Sequence, residues 1–480
     1  MLKKVVTLFW SLDPLKINPY QYLAPSSAML YLSKFLHANG FEVNVVDAPL
    51  ITSHEEFSIN PKKTLEELVE ITERTNPDIL GVGSWTFNMP VATEFTREFK
   101  ARNPNIPIIL GGINATHLPN ETLEFLPHID YLVRGEGEHT LLELCQALSS
   151  NKKSFGKIKG ISYRNKERKI VHTQDRPLIK NLDELPLVDL ECYAELNKID
   201  FENLRFAISP SRGCINKCSF CNISSMWGKS RFFSPSYLVK QIKHIQNLYG
   251  MRRTVFEIDN LTSNLVWAKA FAKKMQSLHM SWAANARVDL INKNLFALFK
   301  QSGLYRIYLG IESINPKILK FFNKTPVPES YIKNIPKALE ILSKLNIKIS
   351  TVFIIGTPIE TNKDLDELYE YAQSIRKKYN VFNIDMSMLT LFPGTQLWNK
   401  YEKNELQIQK LPDDVKKEWI KKEYLSRVIF EEKYGHIIWM NPTGFVFRNK
   451  VMSLRKHLSL LPKFFEDFGY GRNIQKLKNY

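Results

Sequence analysis

Three cysteines fall within eight residues of a chain that has only five in 480. Cys214, Cys218 and Cys221 lie in Ser209-Pro-Ser-Arg-Gly-Cys-Ile-Asn-Lys-Cys-Ser-Phe-Cys-Asn222, a Cys-x3-Cys-x2-Cys spacing with Phe220 before the last cysteine. Thiolates are soft ligands that suit iron–sulfur clusters, and a cubane cluster normally takes four of them. Three without a local fourth point to a [4Fe–4S] cluster with one iron left open for a small molecule. Pro210 and Gly213 disfavour regular structure, so the cysteines are expected on a loop. A zinc site is the competing reading, and it would need a fourth Cys or His nearby. Residues 215–228 supply none, and the nearest downstream histidine is His244. Their crowding argues against chance buried thiols.

The elements around this loop read from periodicity. Residues 206–395 alternate strand and helix, with strands expected at Phe206 to Ser209, Thr254 to Ile258, Ser281 to Ala286, Arg306 to Gly310, Lys348 to Ile355 and Asn383 to Leu391. Helices are expected between them, as at Ser236 to Leu248 and Glu329 to Leu345. Residues 1–150 alternate in the same way, with strands at Val5 to Trp10, Glu42 to Asp47, Ile79 to Ser84, Ile108 to Gly112 and Tyr131 to Arg134. Such alternation predicts an α/β fold with a doubly wound parallel sheet, whose ligands bind outside the carboxyl ends of the strands. The loops at those ends offer Ser84, Thr86, Gly111, Gly112, Asn114 and Glu136. Glycine pairs serve tight turns as often as they admit a ligand. Residues 151–205 read as a connecting segment with a hairpin, followed by the proline-punctuated stretch 181–189.

The cysteine spacing with its aromatic is similar to the signature of the radical S-adenosylmethionine superfamily. That resemblance implies that S-adenosylmethionine chelates the open iron, and that one-electron reduction releases a 5′-deoxyadenosyl radical. It implies a partial (β/α)6 TIM-type barrel at 206–395, with the chemistry at the strand carboxyl ends. Cys214, Cys218 and Cys221 would hold the cluster and Phe220 would lie near the adenine. Gly310-Ile-Glu-Ser313 matches the element near the amino-acid end of the cofactor, assigning Gly310, Glu312 and Ser313 to it. Gly356, in Ile355-Gly-Thr-Pro358, matches the element near the adenosine, although Ile359 replaces its usual second glycine. Arg287 reads equally as a contact to the cofactor carboxylate or as one half of a structural ion pair, and Asp259 has the same ambiguity.

Residues 1–150 resemble the Rossmann-like cobalamin-binding module of one branch of that family. The matching stretches are Pro25-Ser-Ser-Ala-Met-Leu-Tyr-Leu-Ser-Lys-Phe-Leu, Pro107-Ile-Ile-Leu-Gly-Gly112 and Asp130-Tyr-Leu-Val-Arg-Gly-Glu-Gly-Glu138. The Asp-x-His-x-x-Gly motif that supplies a lower cobalt ligand elsewhere is missing, since Asp13-Pro-Leu-Lys-Ile-Asn18 has no histidine. The resemblance therefore implies a lower cobalt face that is open, or that meets water or a loop residue. His37, His54, His117, His128 and His139 read as surface or core residues, and only His117 and His139 fall near the expected pocket.

Composition bounds the rest. A hydrophobic fraction of 44% and a charged fraction of 24% are those of a globular protein of two or three domains. Few cysteines exclude a disulfide framework and suit a reducing cytoplasm. The net charge of +17 invites a nucleic-acid partner, but scattered lysines such as Lys273, Lys274, Lys377 and Lys378 read as solvated helix faces. No nucleic acid is expected. Residues 396–480 read as a small helical, basic region. From Arg448 onward eight Lys or Arg face two acids, interleaved with leucines and phenylalanines. They read as a helix packed on the barrel, or as a peripheral contact with an anionic membrane that would suit a lipid substrate.

The combined reading is a cobalamin-dependent radical S-adenosylmethionine enzyme, a C-methyltransferase acting on an unactivated carbon of a small-molecule or lipid substrate. The family implies an external one-electron reductant such as flavodoxin or ferredoxin. A cyclase or rearrangement enzyme of the same branch is the alternative, and a cobalamin sensor with a vestigial barrel is the weaker one. A methylthiotransferase would need three more cysteines in the amino-terminal domain, and only Cys145 and Cys192 precede the signature anywhere in the chain.

Overall fold

The computed structural model describes residues 4–12, 24–150 and 154–403, less Phe87, Glu202, Gly356, Pro358, Thr390 and Leu391. The expectations for Gly356, for the loop at 13–18 and for the basic region beyond residue 403 lie outside the described residues.

Short runs of branched and aromatic residues form the first sheet: β1 (Val5–Trp10), β2 (Glu42–Asp47), β3 (Ile79–Ser84), β4 (Ile108–Gly112) and β5 (Tyr131–Val133). All five pair in parallel, in the order β2-β1-β3-β4-β5. Helices pack on both faces because these strands are apolar on both sides. The expected hairpin is present as β6 (Ile161–Arg164) and β7 (Ile170–His172), and it extends this sheet, with β6 antiparallel to β5. Arg134 secures the join, donating to the Ile161 and Thr173 carbonyls at 2.5 Å each.

The second sheet contains β8 (Phe206–Ile208), then, beyond a two-stranded ribbon of β9 (Ser211–Arg212) and β10 (Arg231–Phe232), β11 (Arg253–Phe256), β12 (Ser281–Ala286), β13 (Leu304–Glu312), β14 (Lys348–Ile355) and β15 (Val381–Met388). Its six strands are all parallel, in the order β15-β14-β13-β12-β11-β8, the open form of a six-stranded barrel. Local chemistry sets the helix ends between them. Ser234 accepts from the Tyr237 amide at 3.1 Å, Pro235 begins the helix Pro235–Tyr249, and Gly250 ends it at φ 63°. Thr361 and Asp364 form a capping box on Asn362–Lys378.

The two units share their apolar interior. Tyr31, on the helix Ser27–Ala38, stacks on Phe233 beside β10 at 5.6 Å. Between the units the chain runs as a strap. It leaves β7 at one edge of the first sheet and returns at the other, where the Val45 amide bonds to the Cys192 carbonyl at 2.7 Å and the Ala194 amide to Val45 at 2.9 Å. On the way it is fixed to the helix Pro235–Tyr249 by a buried two-way bond between Gln241 and the Val188 backbone, at 2.8 and 2.7 Å. The prolines of 181–189 thus mark a strap rather than a free tether.

Gly112 closes β4 at φ 114°, and a β-carbon there would sit 1.8 Å from the Ser84 carbonyl oxygen. Gly40 also has a positive φ, 91°, but open space around it. Gly40→Ala is therefore expected to cost about 1–2 kcal/mol of stability. Gly112→Ala is expected to cost on the order of 3 kcal/mol or more. Equal shifts in thermal unfolding midpoint for the two variants would show that the close approach at Gly112 does not matter.

Candidate functional site

The cysteine loop is fixed on every side by backbone bonds. Gly213, at φ 87°, turns the chain out of β9 where a β-carbon would meet the Gly228 and Lys229 carbonyl oxygens at 2.6 and 2.7 Å. The Cys214 amide donates to Gly228 at 3.1 Å and the Cys221 amide to Cys218 at 3.1 Å. Between them the Ser219 amide donates to Phe322 at 2.8 Å, its hydroxyl to Phe321 at 2.8 Å, and its carbonyl accepts from Leu397 at 3.0 Å. Asn323 Nδ2 adds a bond to the Lys217 carbonyl at 2.8 Å. These bonds hold the backbone of the loop that carries the three cysteines.

All three cysteines are half-buried and free of disulfides. Burial pushes the Cys218 thiol up and that of Cys221 up to about 12, so ligation to metal is what would make them thiolates. A cubane cluster takes its thiolate ligands at separate corners, and three cysteines on one loop suit that arrangement. Asn216 Nδ2 lies 3.4 Å from Cys214 Sγ and Arg287 Nη1 lies 4.0 Å from Cys218 Sγ, donors placed where sulfur would carry negative charge.

The expected cofactor residues gather at the carboxyl ends of β11 to β13. Glu312 ends β13 at φ 66°, an uncommon conformation for a non-glycine residue, with a register shift against β14 between Gly310 and Glu312. Its carboxylate bonds Lys324 Nζ at 2.8 Å, both side chains less than a tenth exposed. Burial alone would lower the Lys324 pKa, but the Glu312 charge outweighs it and holds the ammonium form. A β-carbon on Gly310 would meet Glu312 Oε1 at 2.4 Å, so this glycine makes room for the pair. Ser313 Oγ accepts from the Asn315 amide at 3.1 Å. Arg287 makes a two-pronged ion pair with Asp289, both bonds 3.0 Å, donates to the Lys324 carbonyl at 2.7 Å and lies over Tyr331 at 5.8 Å. Arg287 is thus ion-paired with Asp289 and lies beside Cys218. Burial, and then the charge of Glu257, push the Asp259 carboxyl up to about 7. Phe220 packs edge-on against Phe322 at 5.0 Å.

In the first unit, Ser84 Oγ donates to the Gly111 carbonyl at 3.0 Å, tying the ends of β3 and β4 together. Thr86 Oγ1 and Asn114 Oδ1 are buried polar atoms with no partner, next to the bare backbone of Gly111 and Gly112. Orphaned buried polar groups beside glycine backbone fit a polar ligand at this edge. In the barrel, Asn222 Nδ2 and Asn260 Nδ2 are likewise buried and unpartnered, after Cys221 and after β11.

Glu136 faces elsewhere than expected. It accepts from Arg212 and Arg231 at 3.0 Å each and from the Ile179 amide at 2.6 Å. Arg212 also bonds Glu138 at 2.5 Å and lies over the rings of Tyr31 and Trp227 at 5.4 and 5.8 Å. Burial would raise the Glu136 pKa, but the bond from Arg231 and the charge of Arg212 leave it lowered. The loop after β5 thus clamps the ribbon that carries the cysteines. Nearby, His117 packs against Gly394 and lies 3.5 Å from Ser225 Oγ. Residues past β4 and β5 therefore touch residues past β8 and β15, and the two carboxyl-end faces meet. His139 packs edge-on against Phe35, His128 bonds Thr96 at 2.9 Å, and His37 lies 4.0 Å from Glu191. The side chain of His54 is outside the described residues.

Sequence reasoning missed Arg212, Arg231 and Lys324. Arg212 stands two residues before Cys214, yet no spacing signals a partner 74 residues away. Two cavities, of about 410 and 420 Å³, lie away from the cysteines.

Residues 17–145 match the family model for the B12 binding domain, and residues 208–372 match that for the radical SAM superfamily. The chain is 32% identical over 347 residues to an uncharacterized methyltransferase of Pyrococcus horikoshii, covering 72% of this chain and 73% of that protein. It is 28% identical over 388 residues to an anaerobic magnesium-protoporphyrin IX monomethyl ester cyclase of Rubrivivax gelatinosus, covering 78% of this chain and 66% of that one. The fold matches a radical S-adenosylmethionine methyltransferase of Kitasatospora setae, solved with cobalamin and a [4Fe–4S] cluster bound. Its TM-score is 0.67 at 18% identity, over 86% of this chain and 80% of that one.

Two measurements test the site. Anaerobic reconstitution is expected to give about four irons per chain, with Cys218→Ala losing them; stoichiometric zinc in the wild type would refute the donor assignment. Glu136→Gln is expected to cost about 3 kcal/mol at neutral pH, because it leaves buried arginine charge short of a partner. Its folded pKa lies below the ordinary value of 4.5, so the wild-type advantage should be full above that pH and shrink as the pH falls below it. Thermal melts of the cluster-free proteins read this, and a pH-independent difference would count against the clamp.

Proposed function

Because the chain belongs to the cobalamin-binding branch of the radical S-adenosylmethionine superfamily, we propose that it is a methyltransferase that methylates an unactivated carbon of a small molecule. When bound, the cluster with S-adenosylmethionine supplies a carbon-centred radical and cobalamin supplies a transferable methyl group. Cys214, Cys218 and Cys221 hold the cluster. Gly310, Glu312, Ser313, Arg287 and Asp259 line the place for S-adenosylmethionine, with Glu312 accepting from its ammonium group. Phe220 and Gly356 complete that assignment from the family pattern. Ser84, Thr86, Gly111, Gly112 and Asn114 take cobalamin, while Glu136 positions the cysteine ribbon. The observation that carries this reading is the meeting of the two carboxyl-end faces, through Arg212 with Glu136 and Glu138, and His117 with Gly394. A substrate between them is reached from both sides and is positioned without a general acid–base pair. The reductant is an external one-electron carrier of the flavodoxin or ferredoxin class.

The likeness to the cyclase of Rubrivivax gelatinosus supports a second reading, cyclisation by the same radical. S-adenosylmethionine labelled in its methyl group separates the two. Methyl transfer is expected to put label on the product, alongside 5′-deoxyadenosine and S-adenosylhomocysteine. A changed substrate with deoxyadenosine but no label would establish the cyclase reading instead.

A further inference from the structure

Apart from the cysteine site, an open hollow of about 410 Å³ lies between the helix Gly137–Ser149 and the strap at residues 176–180. Its wall carries Lys157, Lys159, Arg176 and Lys180 against Glu143 and Glu184. Arg176 is already bound to Glu143 and to Thr140. Among the described residues, the exposed Lys157, Lys159 and Lys180 make no ion pair. With Glu184 the one opposing carboxylate left by the Arg176–Glu143 pair, these three ammonium groups give the wall a net positive charge, which favours an acidic partner.

The hollow backs onto the cluster loop. Leu178 lines it, and its Cδ1 would stand 3.1 Å from a β-carbon on Gly228. The Gly228 carbonyl in turn accepts from the Cys214 amide at 3.1 Å. One side chain and one peptide group therefore separate the basic wall from the first cysteine.

We infer that this hollow is the docking surface for an acidic protein that carries single electrons at low potential. The inference rests on the cluster reading given above. One electron leaves the carrier, which is oxidised by one step, and enters the oxidised cluster, which is reduced by one; no atom or proton changes place. Charge complementarity selects the carrier, and the Leu178–Gly228–Cys214 contact places it against the cluster loop.

The test uses the full chain with cluster and cobalamin loaded, carrying Lys157→Glu, Lys159→Glu and Lys180→Glu together. Flavodoxin is the probe, its binding read by flavin fluorescence anisotropy and its electron delivery by bleaching of the cluster absorbance. Reduction by dithionite runs in parallel. The variant is expected to bind flavodoxin roughly tenfold or more weakly at low salt, with flavodoxin-driven reduction slowed by a similar factor. Wild-type affinity should itself weaken as the Debye length falls from about 30 Å at 0.01 M salt to about 8 Å at 0.15 M. A triple Lys→Gln variant should show a smaller loss in the same direction. Iron content and the dithionite rate should be unchanged in both. Wild-type flavodoxin binding in the Glu variant would overturn the inference. So would equal slowing with dithionite, because the wall would then belong to the cluster site, and so would a hollow that takes inorganic phosphate while flavodoxin binds unaffected by it. A wild-type protein that assembles no cluster would defeat the cluster reading instead, and the two failures are distinguishable.

Discussion

The geometry of the cysteine loop depends on one buried interaction, the hold of Arg212 on Glu136 and Glu138. Arg212 ends β9, Gly213 turns, and Cys214 follows, so wherever the guanidinium is seated the first cysteine must lie two residues away. The carboxylates that seat it belong to the other unit, in the loop past β5. Burying such charges brings little net stability, since desolvation offsets most of the attraction. Its value lies in placement. An apolar contact between the units would tolerate sliding, whereas a forked donor matched to two carboxylates and lying over two rings tolerates little.

The opposite side of the loop is held by different means. Ser219 is bonded through its amide, hydroxyl and carbonyl to the helix end at Phe321 and Phe322 and to Leu397. These bonds come from the segment that follows Glu312 and from the helix that closes the barrel. The loop is consequently coupled to the first sheet at one end and to the cofactor strand at the other. Both attachments are made by protein groups on either side of the cysteines, so they help to order the ligands.

Much of this was legible in the sequence, and the reason is local. The strands β1 to β4, β12 and β14 fall at their expected bounds because each is a short, largely apolar run flanked by polar or turn-forming residues. The cysteines were legible because cluster ligation imposes spacing along a single loop. What escaped was non-local. Glu136 lies in a loop that faces a ligand in the general strand-end rule, but which of its neighbours faces inward is decided by Arg212 and Arg231, far along the chain. The hairpin was legible as a hairpin; that it extends the first sheet depends on the free edge of β5. The 181–189 stretch showed its prolines but not its anchor, since one glutamine, Gln241, reads like any helix-surface residue until Val188 is found against it.

The charges around Cys218 follow a rule of their own: each buried cation comes with a carboxylate. Lys324 holds Glu312 and Arg287 holds Asp289, so the pocket is nearly neutral before any cofactor enters. In the proposed role, an amino-acid headgroup would meet a carboxylate at Glu312 and cations at Lys324 and Arg287, so both ends of a zwitterion would find a complementary charge there. The positive φ of Glu312 sets its carboxylate against Lys324 at the strand end.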